Sequence, residues 1–158
     1  MAFLSTDGTD FSILEQSPFW SGWCSHKFKG AGLRYEIGVG ICSGNICWLN
    51  GPFPAGKYSD IKIFRLGLKK CIDPGEKVEA SNGFRGEPDT ILLPSDPSIV
   101  SESELLRFTH DKYRMKQRVR ARHETVNGRF KNWNILNTRF HNEISLHSNV
   151  FRAIVVIT

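Results

Sequence analysis

Three acidic residues of this 158-residue chain, Asp7, Asp60 and Glu124, stand out by the elements on which they are expected to lie. Asp7 closes a first short strand, Asp60 opens a helix, and Glu124 sits inside a basic helical segment. Carboxylates gathered from separate elements are what a hard cation such as Mg²⁺ needs, and two such ions about 4 Å apart clamp the attacking and leaving oxygens of a phosphodiester. Each acid also has a purely structural reading. Asp7 in Asp7-Gly8-Thr9-Asp10 suits a turn. Asp60 suits the positive end of a helix dipole. Glu124 is one helical turn from Arg120, where an exposed ion pair is weak. On a helix Glu124 shares a face with Arg120, Asn127, Gly128 and Lys131, and Gly128 leaves room for close approach one turn away.

The charge is concentrated around the third acid. Lys112, Arg114, Lys116, Arg118, Arg120, Arg122, Arg129 and Lys131 face only Glu124 in the stretch 112–131. Removing these eight cations and one anion from the totals of 21 and 16 leaves 13 cations against 15 anions, so the net charge of +5 resides in that segment. Such a patch is the footprint of a polyanion partner, whose condensed counterions are released on binding. A solvated helix face is the equally weighted alternative.

The elements that must position these residues follow from periodicity. Phe3-Leu4-Ser5-Thr6 reads as a short strand running into the Asp7–Asp10 turn. Leu33, Tyr35, Ile37, Val39 and Ile41 alternate with polar or small residues, the pattern of a half-buried strand. Ser43-Gly44-Asn45 turns the chain into a second strand, Ile46-Cys47-Trp48-Leu49, and Gly51-Pro52-Phe53-Pro54 stops it. Ser59 caps a helix through Ile61, Phe64, Leu68 and Cys71, ended by Asp73-Pro74-Gly75. A short strand over Lys77–Ala80 precedes a connection containing Pro88, Pro94 and Pro97, with Ser101 and Ser103 introducing a short helix. The basic segment is the longest helix candidate, with Met115, Val119, Val126, Phe130 and Trp133 on one face, and a last helix runs from Ile144 to the end. This order predicts one α/β domain, a mixed sheet with helices packed on it.

Several classes are excluded. No apolar run approaches the roughly 18 to 20 residues of a membrane span, and the N-terminus lacks the basic region of a secretory signal, so an intracellular location is expected. Cys24, Cys42, Cys47 and Cys71 have neither zinc-site nor paired spacing and are expected to be reduced core residues. The histidines at 26, 110, 123, 141 and 147 show no metal spacing and are expected to be structural or exposed. Trp20 to Gly30 mixes aromatics, cations and glycines in a loop that could contact nucleic acid, although tryptophans such as Trp20 and Trp23 are more often lids over a core than base platforms. Neither a G-x-S-x-G nor a phosphate-loop signature is present.

Taken in order, Asp7-Gly8-Thr9-Asp10, His26-Lys27-Phe28-Lys29-Gly30, Asn50-Gly51-Pro52-Phe53-Pro54, Ser59-Asp60, the segment from Val78 to Gly86 and the segment from Arg120 to Lys131 resemble the Harbinger-type branch of DDE superfamily transposases across nearly the whole chain. The resemblance implies a ribonuclease H-like sheet whose first three strands form an antiparallel meander. It implies a metal-dependent DNA endonuclease and strand-transfer activity, with Asp7, Asp60 and Glu124 around Mg²⁺ or Mn²⁺. It places DNA along Lys116, Arg120, Arg122 and Lys131, and the protein in the nucleus, where the basic run 114–120 weakly resembles an import signal. Two departures accompany it. The family's acid after the fourth strand aligns with Ser81, which supplies no charged oxygen, and Glu79 lies two residues earlier on the same strand face, roughly 6 to 7 Å away. The helical DNA-binding region that usually precedes this domain in relatives is not found in residues 1–158, the pattern of a fragment, a degenerate element or a repurposed domain, with a separate DNA-binding protein as a candidate partner. The alternative function is a catalytically inactive DNA-binding remnant, and a protein-interaction scaffold is a third.

Overall fold

The structure is a computed structural model that describes residues 2–93, 117 and 120–158. It is α/β: six strands form one mixed sheet, and four α-helices are seen among the described residues. The strands are β1 (Ala2–Ser12), β2 (Cys24–Ser25), β3 (Gly30–Gly40), β4 (Ile46–Pro54), β5 (Lys77–Ala80) and β6 (Ile91–Leu92). The helices are α1 (Asp60–Leu66), α2 (120–131), α3 (Asn134–Asn137) and α4 (Ile144–Ile157). Across the sheet the order is β2-β3-β1-β5-β6, with β4 also on β3. β1, β3 and β4 are antiparallel neighbours, while β5 lies parallel to β1 and β6 parallel to β5. None of the described helices is long and apolar enough to cross a membrane.

The hairpin of β3 and β4, the strand β5 and the terminal helix α4 lie where periodicity predicts them. Other expectations are corrected. The Asp7–Asp10 cluster is not a turn but the middle of β1, because β1 pairs with β3 from Leu4↔Gly40 to Ser12↔Gly32 and this ladder overrides local turn preference. Gly51-Pro52-Phe53-Pro54 does not stop β4, which runs on to Pro54. It is an outer strand, where prolines need no ladder donor. The helix after Ser59 breaks at Gly67 into α1 and a 3-10 turn over Leu68–Cys71, and Ser59 occupies the N-cap without a side-chain hydrogen bond. The stretch 20–30 is a 3-10 turn followed by β2, which pairs with the start of β3. β6 and α3 carry no sequence signal strong enough to be expected. Trp133 lies beyond α2 and is exposed. Cys42, Cys47 and Cys71 are exposed and Cys24 is half-buried, so the cysteines are free but not core residues. Met115, Val119, Pro94, Pro97 and the helix expected after Ser101 lie outside the described residues.

Two apolar clusters cover the two faces of the sheet. Side chains alternate along a strand, so odd-numbered residues of β1 and β3 share one face and even-numbered residues the other. On the odd face Phe11, Leu33, Tyr35, Ile37 and Val39 pack against Val126 and Phe130 of α2 and Phe151 and Ile154 of α4. On the other, Leu4, Val78 and Ala80 pack with Phe64 of α1, Leu68 and Phe84. The even face of β3 is not solvated as its polar residues predict: Arg34 and Glu36 are both buried beneath α1.

Candidate functional site

The separation of faces decides how the acids are grouped. Asp7 pairs with Ile37 and so belongs to the face covered by α2. There it lines a pocket of about 610 Å³ with Ser5, Glu79, Ser81, His123 and Glu124. β1 supplies Asp7, β5 supplies Glu79 and the chain just beyond it supplies Ser81, and α2 supplies His123 and Glu124. His123 and Glu124 are neighbours about 100° apart around the helix. His123 therefore turns inward, where its Nε2 shares a hydrogen bond of 2.9 Å with the Ser5 hydroxyl. Burial lowers its pKa, opposed by the Asp7 charge. Glu124 stays at the rim with its side chain 71% exposed, 3.5 Å from Arg120 Nε. The ion pair expected from their spacing is thus present.

Asp60 stands elsewhere. Gly8 follows Asp7 and faces the opposite side of the sheet, and the Asp60 carboxylate fills the space that a side chain at Gly8 would need. Asp60 Oδ1 lies 3.5 Å from Arg34 Nη1. Arg34 holds Asp10 through two oxygens, Nε to Oδ1 at 2.7 Å and Nη2 to Oδ2 at 2.8 Å, and Ser25 also donates to Asp10. This bidentate pairing raises the Arg34 pKa. Burial pushes the Asp60 pKa up, with Arg34 and Lys27 opposing and the charges of Asp7 and Asp10 adding to the rise. Asp60 Oδ1 has no hydrogen-bond partner among the described residues.

The three acids named from the sequence are therefore divided. Asp7 and Glu124 share a pocket, and Asp60 is held on the α1 side by Arg34. Among the described residues no three His, Cys, Asp or Glu side chains are grouped closely enough to hold one metal ion. Ser81 lines the same pocket as Asp7 and Glu124.

The basic residues also divide. Arg120 lines the Asp7 pocket, Arg122 is half-buried, and Lys116 lies outside the described residues. Lys131 lines a second cleft at the other end of α2. Sequence reasoning missed the buried Asp10-Arg34-Asp60 group, because alternation marks Arg34 and Glu36 as outward-facing until α1 is seen to cover them. Glu79, singled out from the sequence as the nearest acid to Ser81, lines the same pocket. No family model, curated protein or solved structure matches this chain.

Proposed function

We propose that this chain is a transposase-derived domain of the DDE superfamily, ribonuclease H-like in fold, that binds DNA along α2 and has an incomplete metal set for cutting it. The carrying observation is that Asp7, Ser81 and Glu124 line one pocket although they are far apart in sequence, with a serine hydroxyl where the third charged oxygen would stand. The antiparallel trio β1, β3 and β4, with β5 parallel to β1, supports the fold assignment. The basic stripe on α2 supports DNA as the partner, and the nucleus as the place of action follows from that family. Asp7 and Glu124 remain able to accept hydrogen bonds or a single cation, and Arg120 restrains Glu124.

A second reading is an active, Mg²⁺- or Mn²⁺-dependent endonuclease in which Asp60 completes the acids. It is favoured by one observation: Asp60 Oδ2 lies 2.8 Å, and Ser81 Oγ 3.6 Å, from the point where a Cβ on Gly83 would stand. The carboxylate and the serine hydroxyl thus flank one small gap.

Plasmid nicking and salt-dependent DNA binding separate the readings. The proposal expects DNA affinity that falls steeply with salt, no nicking by the natural protein in Mg²⁺ or Mn²⁺, and nicking gained in Ser81→Asp and lost again when Glu124→Gln is added. Nicking by the natural protein that Asp60→Asn abolishes would establish the second reading instead. Absence of any DNA affinity would sink both and leave a protein-interaction scaffold.

A further inference from the structure

The second cleft, about 730 Å³ in volume, lies at the far end of α2 from the Asp7 pocket, between the β2-β3 hairpin and the segment around α3. Its cations come from three places: Lys27 and Lys29 on the hairpin, Lys131 at the end of α2, and Arg139 after α3. Lys27 reaches the Gly8 carbonyl with its ammonium group. Among the described residues Lys29, Lys131 and Arg139 form no ion pair. The acids present do not neutralise them. Asp10 is already committed to Arg34, which leaves Glu15 as the opposing lining acid. Asn127 and Asn137 add amide donors and acceptors to the wall.

An aromatic ring completes the arrangement. Phe28 sits between the two hairpin lysines, and its ring lies over Gly32, where a Cβ would come within 2.6 Å of the ring. Glycine at 32 is therefore what lets the ring lie against β3, and the ring is still 39% exposed. Lys29 holds a left-handed φ of 53°, a conformation that glycine or asparagine adopts more readily than lysine. Cations around an open aromatic face are the elements of a single-strand binding groove: phosphates pair with the cations while a base stacks on the ring.

We propose that this cleft binds an unpaired DNA strand, with Lys29, Lys131 and Arg139 on its phosphates and Phe28 under one of its bases. This deepens the DNA-binding reading and rests on it. The stripe Arg120, Glu124, Asn127 and Lys131 on α2 joins the two pockets, so a strand leaving the duplex near Asp7 has a continuous path into the cleft.

The test is fluorescence anisotropy with a labelled oligothymidylate and a hairpin duplex of equal charge, at several salt concentrations. The double variant Lys29→Ala/Arg139→Ala is expected to weaken oligothymidylate binding roughly 10- to 25-fold near 0.1 M salt and to lower the salt slope by about 1.4. Its duplex affinity should change less than about threefold. Phe28→Leu, which keeps apolar packing over Gly32, should lose about fivefold or more, and Phe28→Trp should retain binding. Unchanged oligothymidylate binding in the double variant, while the natural protein binds DNA, overturns the cleft and leaves the DNA-binding reading intact. Equal losses for strand and duplex overturn the preference for an unpaired strand, and unchanged binding in Phe28→Leu overturns the stacking. If the natural protein binds neither probe, the DNA-binding reading itself fails and the cleft proposal falls with it.

Discussion

Glu36 shows how a single residue can record its burial in the pH dependence of the whole protein. Its carboxyl is 1% exposed, accepts a hydrogen bond of 2.8 Å from Trp48 Nε1, and leaves Oε1 without a partner among the described residues. Burial pushes its pKa from 4.5 up to about 7, and hydrogen bonds from Trp48 and Asn50 only partly oppose this. A carboxyl whose folded pKa is raised favours the folded state while protonated, and that advantage is lost as pH rises from the unfolded value through the folded one. The window is therefore pH 4.5 to about 7. Replacing Glu36 with Gln, which keeps an acceptor for Trp48, should remove this loss. Urea denaturation at pH 5 and pH 8 should show the variant gaining on the natural protein by up to about 3 kcal/mol at the higher pH. Equal differences at the two pH values would contradict the assignment. His147 moves in the opposite sense. Burial lowers its pKa to about 4, so its contribution is lost as pH falls below 6.5. Comparing Glu36→Gln with the natural protein at each pH cancels that second effect as long as His147 is undisturbed.

At the scale of elements, α4 is fixed to the sheet by aromatic packing around one buried hydrogen bond of 2.8 Å between the Tyr35 hydroxyl and His147 Nδ1. Phe151 is fully buried, with ring centroids 4.4 Å from Tyr35, 4.8 Å from Phe11 and 5.0 Å from Phe130. One ring thus joins β1, β3 and α2 to α4. Phe151→Ala should cost about 3 to 5 kcal/mol in chemical denaturation. Val156, on the same helix and 87% exposed, should change stability by less than about 0.5 kcal/mol when replaced by Ala. Similar costs for the two would mean that α4 is not docked by this face. The same packing orients α2, since Val126 and Phe130 fix which of its faces points inward and leave Glu124 at the pocket rim.

Over the whole molecule the sheet acts as a partition between a charged group beneath α1 and an open, basic surface along α2. Residues 120 to 131 rise about 16 Å along the helix axis, and Arg120 and Lys131 mark its two ends. A duplex lying along α2 meets both at separate phosphates. Arg120→Ala and Lys131→Ala should each lower the slope of log affinity against log salt by about 0.9, additively in the double variant, with duplex sequence mattering little. Slopes that do not change would place the DNA on another surface.

The sequence by itself determined the local periodic elements: the β3-turn-β4 hairpin, the β5 strand, the terminal helix, and the Arg120-Glu124 pair whose spacing alone brings the two together. These depend on residues close in the chain. Through their order within a family pattern it also named Asp7, Asp60 and Glu124 as one expected site, with Ser81 where a further acid was expected. Tertiary structure decided which acids can act together, because a strand sends successive side chains to opposite faces. A reading that ends the first strand before Asp7 cannot foresee that Gly8 carries Asp60 on the other side of the sheet. The burial of Arg34 and Glu36 was likewise fixed by α1 crossing a face that alternation alone marks as solvent-facing. Lys29 lies more than a hundred residues of chain from both Lys131 and Arg139, and only folding brings the three around one cleft.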